Sequence, residues 1–268
     1  MKYIAFIFLI ASLFEIQQSQ SVLVYHEEAQ NGAVVIAKNS NYFPVTLNIK
    51  MDLTNVSSSR RNPLTIVLPG RSQSQVAQLT ITDKTKSWRV NYNYSYHMGS
   101  IFAKHDDQFA YRLPYQRGES YRLDQGYDGA FSHQGDGRYS LDFNMPEGSR
   151  VLAARAGKVI KITEKYNVGK NDPEFREYAN HVSILHSDGT IGTYSHLKQD
   201  GVIVKLGDTV AAGQHIAFSG ATGYVTGPHL HFSVEKAKQG GGYTTLPVKF
   251  RTQEGILMLE EGKTYTSY

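Results

Sequence analysis

The sequence predicts an all-β protein, an N-terminal β-sandwich followed by a second domain built on a curled antiparallel sheet. Three observations lead there. Between residues 22 and 100 apolar side chains recur at every second position. From 131 to 235 short apolar runs are cut by glycines. Nowhere does a 3.6-residue period persist long enough to make a helix.

Residues 1–21 form the expected export signal. Met1 and Lys2 give a positive start, residues 3–14 form an apolar run broken only by Ser12, and the small Ser19 and Ser21 suit cleavage before Val22. A run of 12 residues falls short of the ~20 needed to span a bilayer. The mature protein is therefore expected to be exported and soluble, in the periplasm before a Gram-positive wall.

Residues 22–100 are expected to form the sandwich. Val45, Leu47, Ile49, Met51 and Leu53 alternate with Thr46, Asn48, Lys50 and Asp52, which places one apolar face on a strand. Trp88, Val90, Tyr92, Tyr94 and Tyr96 repeat the pattern, and polar turn material separates further strands at 64–68 and 77–82. Residues 101–130, with Tyr111, Tyr115, Tyr121 and Tyr127, are expected to be an ordered connector packed between domains. The second domain spans 131–240. A polar stretch at 167–180 interrupts it, long enough to suggest a rim beside a functional site. Residues 241–268 are expected as an extension packed on that domain, with an edge strand near 246–250.

Composition removes several classes of function. The 268 residues carry 28 Lys plus Arg against 24 Asp plus Glu, a formal charge of +4, with no basic cluster of the kind a nucleic-acid protein needs. Cysteine is absent. That excludes disulfides, a thiol nucleophile, thiolate metal ligands and a lipid-modified cysteine.

The second half holds the chemistry. Seven of the ten histidines lie between His133 and His231. In Gly227-Pro-His229-Leu-His231-Phe the two imidazoles share one face of a strand while Leu230 and Phe232 point to the other. A zinc hydrolase needs three protein ligands and one open position for water, and His133 and Asp142 are the candidates that complete such a set. His196, in Thr193-Tyr-Ser-His196-Leu, offers a base or a stabiliser of developing charge. His181 and His186 bracket a strand and are expected to be structural or at the rim. Gly262-Lys-Thr264 lacks the glycine a phosphate loop requires, and Ser219-Gly lacks the glycine of a nucleophile elbow.

His133 with Asp142, Tyr194-Ser-His196-Leu, and Gly227-Pro-His229-Leu-His231-Phe together resemble the signatures of the lysostaphin/LytM-type zinc endopeptidases of peptidoglycan. Met145-Pro-Glu-Gly148 and the glycines at 207, 213, 220 and 223 resemble that family's framework. The resemblance implies a LytM-like antiparallel sheet, one zinc ion per chain held by His133, Asp142 and His231, and a catalytic pair, His196 and His229. It implies peptidoglycan stem peptides as substrate. The first signature departs from the usual form, in which histidine and aspartate stand four apart; here nine positions separate them. Two other readings come from different classes. One is an inactive LytM-type domain that activates another wall hydrolase, a role that lost ligand positions would mark. The other is a lipoyl-type carrier, suggested by the Val-Lys-Leu-Gly-Asp-Thr-Val run at 204–210 but lacking the lysine-bearing hairpin tip.

Overall fold

The computed structural model describes residues 22–268, so the expected signal segment lies outside the described residues. The regular secondary structure of the described residues is nearly all strand, and almost wholly antiparallel. Its helical pieces among the described residues are two 3-10 turns, Gly135–Gly137 and Pro173–Tyr178. No described helix is long and apolar enough to cross a membrane.

The alternating N-terminal segments build two facing sheets. Val22–Ala29, Gly32–Asn39, Ser72–Ile81 and Val56–Ser58 form one, in that order; Leu64–Leu68, Val45–Thr54 and Arg89–Met98 form the other. Val45, Leu47, Ile49 and Met51 point into the space between them and meet Ala33, Val35, Val56, Leu79 and Val90 in one buried cluster. Period-two alternation has become a sandwich core, because a single half-apolar sheet cannot hide its own face.

The second unit is organised on a large sheet. Thr209–Val210, Gly157–Thr163, His181–Leu185, Ile191–Ser195, Leu230–Ala237, Ser140–Phe143, Ser120–Gln125 and Thr264–Thr266 follow in spatial order, with Tyr243–Thr245 added beside Leu230–Ala237. A smaller sheet of Arg150–Leu152, His215–Ser219 and Leu197–Val202 curls from it. Between them lies the larger core, centred on Tyr111, Tyr115, Phe143, Tyr194, Phe232 and Phe250.

The segment expected as a connector and the C-terminal extension do more than pack on this unit. Ala110–Arg112 pairs in parallel with Lys249–Thr252, and Ser120–Gln125 lies between Ser140–Phe143 and Thr264–Thr266. Tyr111 and Tyr115 are completely buried in the larger core. Their hydroxyls are satisfied there: Arg155 donates to the Tyr111 oxygen at 3.1 Å and Tyr115 donates to the Tyr265 carbonyl at 2.8 Å. A tyrosine-rich run reads as polar in sequence, yet it supplies core aromatics once each hydroxyl has a partner.

Candidate metal centre

Strand pairing assembles the centre. Asp142 is the register partner of His231, and Ser195, on the other side, also pairs with His231. Asp142 and His231 therefore stand beside one another on the same face, with His196 one residue past the end of the neighbouring strand. The third component arrives from a loop. His133 precedes the 3-10 turn Gly135–Gly137, which reverses the chain into Ser140–Phe143 and absorbs the long spacing to Asp142.

The distances are those of a ligand set. His133 Nε2 lies 3.3 Å from Asp142 Oδ2, and His231 Nδ1 lies 2.8 Å from Asp142 Oδ1. The three candidate ligand atoms sit within 4.8 Å of one another. Two ligands of a tetrahedral zinc ion lie about 3.3 Å apart, given bonds of about 2.0 Å to each. His133 is 1% exposed; its Nδ1–H donates to the Gly126 carbonyl at 2.8 Å, which leaves Nε2 buried without a hydrogen-bond partner. A buried orphan nitrogen facing a carboxylate fits a cation in that place. Two neutral nitrogens and one carboxylate, with no sulfur, also suit zinc chemically.

The same groups set the local electrostatics. Burial alone would raise the Asp142 carboxyl, but the facing His133 and the hydrogen-bonded His231 hold it well below the ordinary carboxylate value. Burial works against protonation of His133, and Asp142 outweighs it, so that imidazole is shifted upward.

His196 and His229 face this group from the side. Their rings are 4.6 Å apart, and His196 is 5.7 Å from the His231 ring. His196 donates from Nδ1 to the Thr222 carbonyl at 2.7 Å, and His229 donates from Nδ1 to the Gly227 carbonyl at 2.9 Å. Each therefore keeps Nε2 free; in His229 it lies 3.9 Å from Asp142 Oδ1. Burial, then the neighbouring His229 and His231, lowers His196 to about 3, which keeps it neutral. Its backbone is left-handed, with φ of 63°, a conformation that costs a non-glycine residue roughly 1–3 kcal/mol.

That strain is held by residues the local motifs do not contain. The fully buried Asn180 donates from Nδ2 to the Tyr166 and Leu197 carbonyls and accepts at Oδ1 from the Tyr166 N–H. Thr222 donates to the Leu197 carbonyl at 2.9 Å. Gln125 does the equivalent for Asp142. Its Nε2 donates to Asp142 Oδ2 and to Ser132 Oγ, both at 2.8 Å, while Oε1 accepts the N–H groups of Phe131 and Ser132 at 3.0 Å. Gln125 thus ties one candidate ligand to the loop carrying another. Lying in the segment expected as a connector, it gave no sequence signal.

A cleft of about 630 Å³ opens over the centre. Phe131 and Tyr224 line it, their rings 5.4 Å apart, and Glu261 enters from the C-terminal extension with its carboxylate on the Gly126 N–H at 3.0 Å. The 167–180 segment touches this wall indirectly: Gly169–Lys170 pairs with Gly223–Tyr224, and the Arg176 guanidinium lies 5.1 Å over the Tyr224 ring. His181 and His186 stand outside the group, as expected.

Comparison with known proteins now adds to the geometry. Residues 136–242 match the model of peptidase family M23. That segment of the chain is an M23 peptidase domain by this match. The M23 match contains Asp142, His196, His229 and His231 and begins three residues after His133, which the fold brings beside Asp142. Peptidoglycan DD-endopeptidase ShyB of Vibrio cholerae is 36% identical over 43% of this chain and 26% of its own length. Lysostaphin of Staphylococcus staphylolyticus is 38% identical over 35% of this chain and 18% of its own. The chain spans about a quarter of the first curated relatives it matches. The solved catalytic domain of lysostaphin from Staphylococcus simulans is 31% identical over 43% of this chain and 78% of that domain, with a TM-score of 0.31.

Proposed function

We propose that the chain is an exported zinc endopeptidase that hydrolyses peptide cross-links of bacterial peptidoglycan. The observation that carries this reading is the grouping of His133 Nε2, Asp142 and His231 Nδ1 beside two further imidazoles in an open cleft. In this reading His133, Asp142 and His231 hold the metal. Bound there, zinc would polarise the scissile carbonyl and lower the pKa of the attacking water. The chain's own residues do the rest. His196 and His229, each fixed through Nδ1 to a backbone carbonyl, present Nε2 to accept, hold and return a proton as the peptide bond breaks. Their donor positions also suit stabilisation of the oxyanion when either ring is protonated. With all five positions filled, nothing in the site favours the inactive, activating domain.

Two measurements test this. Replacing His231 with Ala should abolish both stoichiometric zinc and release of muropeptides from purified peptidoglycan. His229→Ala and His196→Ala should keep zinc while turnover falls roughly 10²–10⁴-fold, the range of a general acid–base group. Zinc retained by His231→Ala but lost from His229→Ala would reverse the roles; activity in all three would place the site elsewhere. For export, N-terminal sequencing of the secreted protein should begin near Val22, and a chain still starting at Met1 contradicts it.

A further inference from the structure

The C-terminal extension lies beyond residues 136–242, the span of the M23 match, and reaches the cleft over the metal centre through Glu261. The turn that carries Glu261 is fastened to the strand Ser120–Gln125. Gly262 donates to the Leu123 carbonyl and Leu123 donates to the Lys263 carbonyl, each at 2.8 Å. Leu259 and Tyr265 are buried at the foot of the turn, and the Glu260 N–H donates to the Tyr265 hydroxyl at 2.8 Å. A segment held at so many points has little conformational freedom left to lose when its side chain engages.

Glu261 engages Gly126. Its Oε2 accepts the Gly126 N–H at 3.0 Å. The approach is close: a Cβ on Gly126 would lie 3.2 Å from both the nitrogen and the Cβ of Glu261. On the other side of the same residue, the Gly126 carbonyl accepts from His133 Nδ1 at 2.8 Å and from the Gly129 N–H at 3.3 Å. The opposite edge of the His133 ring faces Asp142, with Nε2 3.3 Å from Oδ2. The Gly126 carbonyl therefore keeps the proton on Nδ1 and sets the rotation of the ring, which leaves the Nε2 lone pair for a metal. Adjacent residues share this task, since Gln125 donates to Asp142 at 2.8 Å. Glu261 itself is exposed on its cleft side, and the ion pairs around it join Lys263 to Glu260 and Arg122 to Asp124. No cation draws its carboxylate from Gly126 among the described residues.

We propose that Glu261 is a positioning residue for the metal centre: from the C-terminal turn it holds Gly126, and Gly126 in turn orients His133. The proposal rests on the ligand set of the reading above. The dependence is mutual. Metal on His133 must favour the Glu261–Gly126 contact by the same factor by which that contact favours the metal.

The test uses the whole protein, Glu261→Ala and Glu261→Gln, with zinc and cobalt as probes. Glu261→Ala should bind zinc roughly tenfold more weakly, as loss of a group that orients a ligand does, in competition with a chromophoric chelator. The absorption bands of its cobalt form should shift from the parent's. Glu261→Gln should restore both, because its amide oxygen can accept the same N–H. In the parent, zinc should slow hydrogen exchange at the Gly126 amide, and in Glu261→Ala it should slow it less. Parental zinc affinity and cobalt bands in Glu261→Ala overturn the role, as does a Glu261→Gln protein no better than Glu261→Ala. Should Glu261→Ala fail to fold, exchange in the parent decides: a Gly126 amide indifferent to zinc overturns the role. A parent that takes up no zinc refutes the metal reading and this role with it. A parent that binds zinc beside an unaffected Glu261→Ala refutes the role alone, and variants that behave as expected in a protein that releases no muropeptides support the role and refute only the endopeptidase reading.

Discussion

Gln125 shows how much a single amide controls. It donates to Asp142 and accepts two backbone N–H groups from the loop that carries His133, so removing it frees both. Gln125→Ala should weaken zinc binding roughly 10–100-fold, as loss of a group that orients a ligand does, measured by competition with a chromophoric chelator. Gln125→Glu, which keeps the size but exchanges the donor for a second carboxylate facing Asp142, should be no better. Zinc affinity unchanged in both would mean that Asp142 is held by its strand alone. His231 and Asp142 were legible in the sequence because period-two geometry makes neighbours of residues on paired strands. Gln125, Asn180 and Thr222 were not, because their partners are backbone carbonyls and N–H groups that only the folded chain brings close.

At the scale of elements, the 167–180 segment was expected to border a functional site. It reaches the cleft through Tyr224 rather than by lining it, since Gly169 and Lys170 pair with Gly223 and Tyr224 and Arg176 covers the Tyr224 ring. The approach is tight: a Cβ on Gly169 would come within 1.8 Å of the Ala221 carbonyl oxygen. We expect that excising residues 171–178, with both anchors kept, loosens Tyr224. Muropeptide preference should then change while zinc content holds. Product ratios from intact peptidoglycan, resolved by mass, are the measurement, and ratios identical to the parent's would deny the segment any part in the cleft. The strands at 45–54 and 89–98 were evident from alternation. Ala110–Arg112 and Ser120–Gln125 were not, because their tyrosines and arginines carry no apolar period and several of their pairing partners are distant in sequence.

At the scale of the whole molecule, the two units meet beside a set of buried charges. Arg155 pairs with Asp188 at 2.7 Å, and His186 lies next to them, 3% exposed, with Nδ1 on Thr190 Oγ1 and Nε2 without a partner. Burial, reinforced by Arg155, lowers His186 to about 3; burial and Lys161 lower His181 to about 4. Unfolded, each would titrate near 6.5. Between those values the unfolded chain binds the additional protons, so folding stability must fall as pH drops below about 6.5. The limiting slope is about 1.4 kcal/mol per pH unit for each histidine. Urea unfolding at pH 7, 6 and 5 should show this decline, and His186→Gln should make it shallower. A stability that stays level from pH 7 to pH 5 would contradict the buried neutral state.

By itself the sequence determined the all-β class and the sandwich pattern, and it offered the histidines of the candidate site, because alternation and short motifs are local properties that any strand must express. Three things were decided only by the tertiary structure. The first is how His133, already a candidate in the sequence, reaches Asp142: a 3-10 turn folds the intervening chain back. The tyrosine-rich segment and the C-terminal extension become core strands, because every buried hydroxyl finds an acceptor or donor elsewhere in the chain. And the sandwich comes to lie on the same sheet face as the metal centre, because Ile160, Ile191 and Leu185 leave one apolar end of that face to be covered; which end of a sheet lacks a covering layer is a property of the assembled sheet, and no single strand records it.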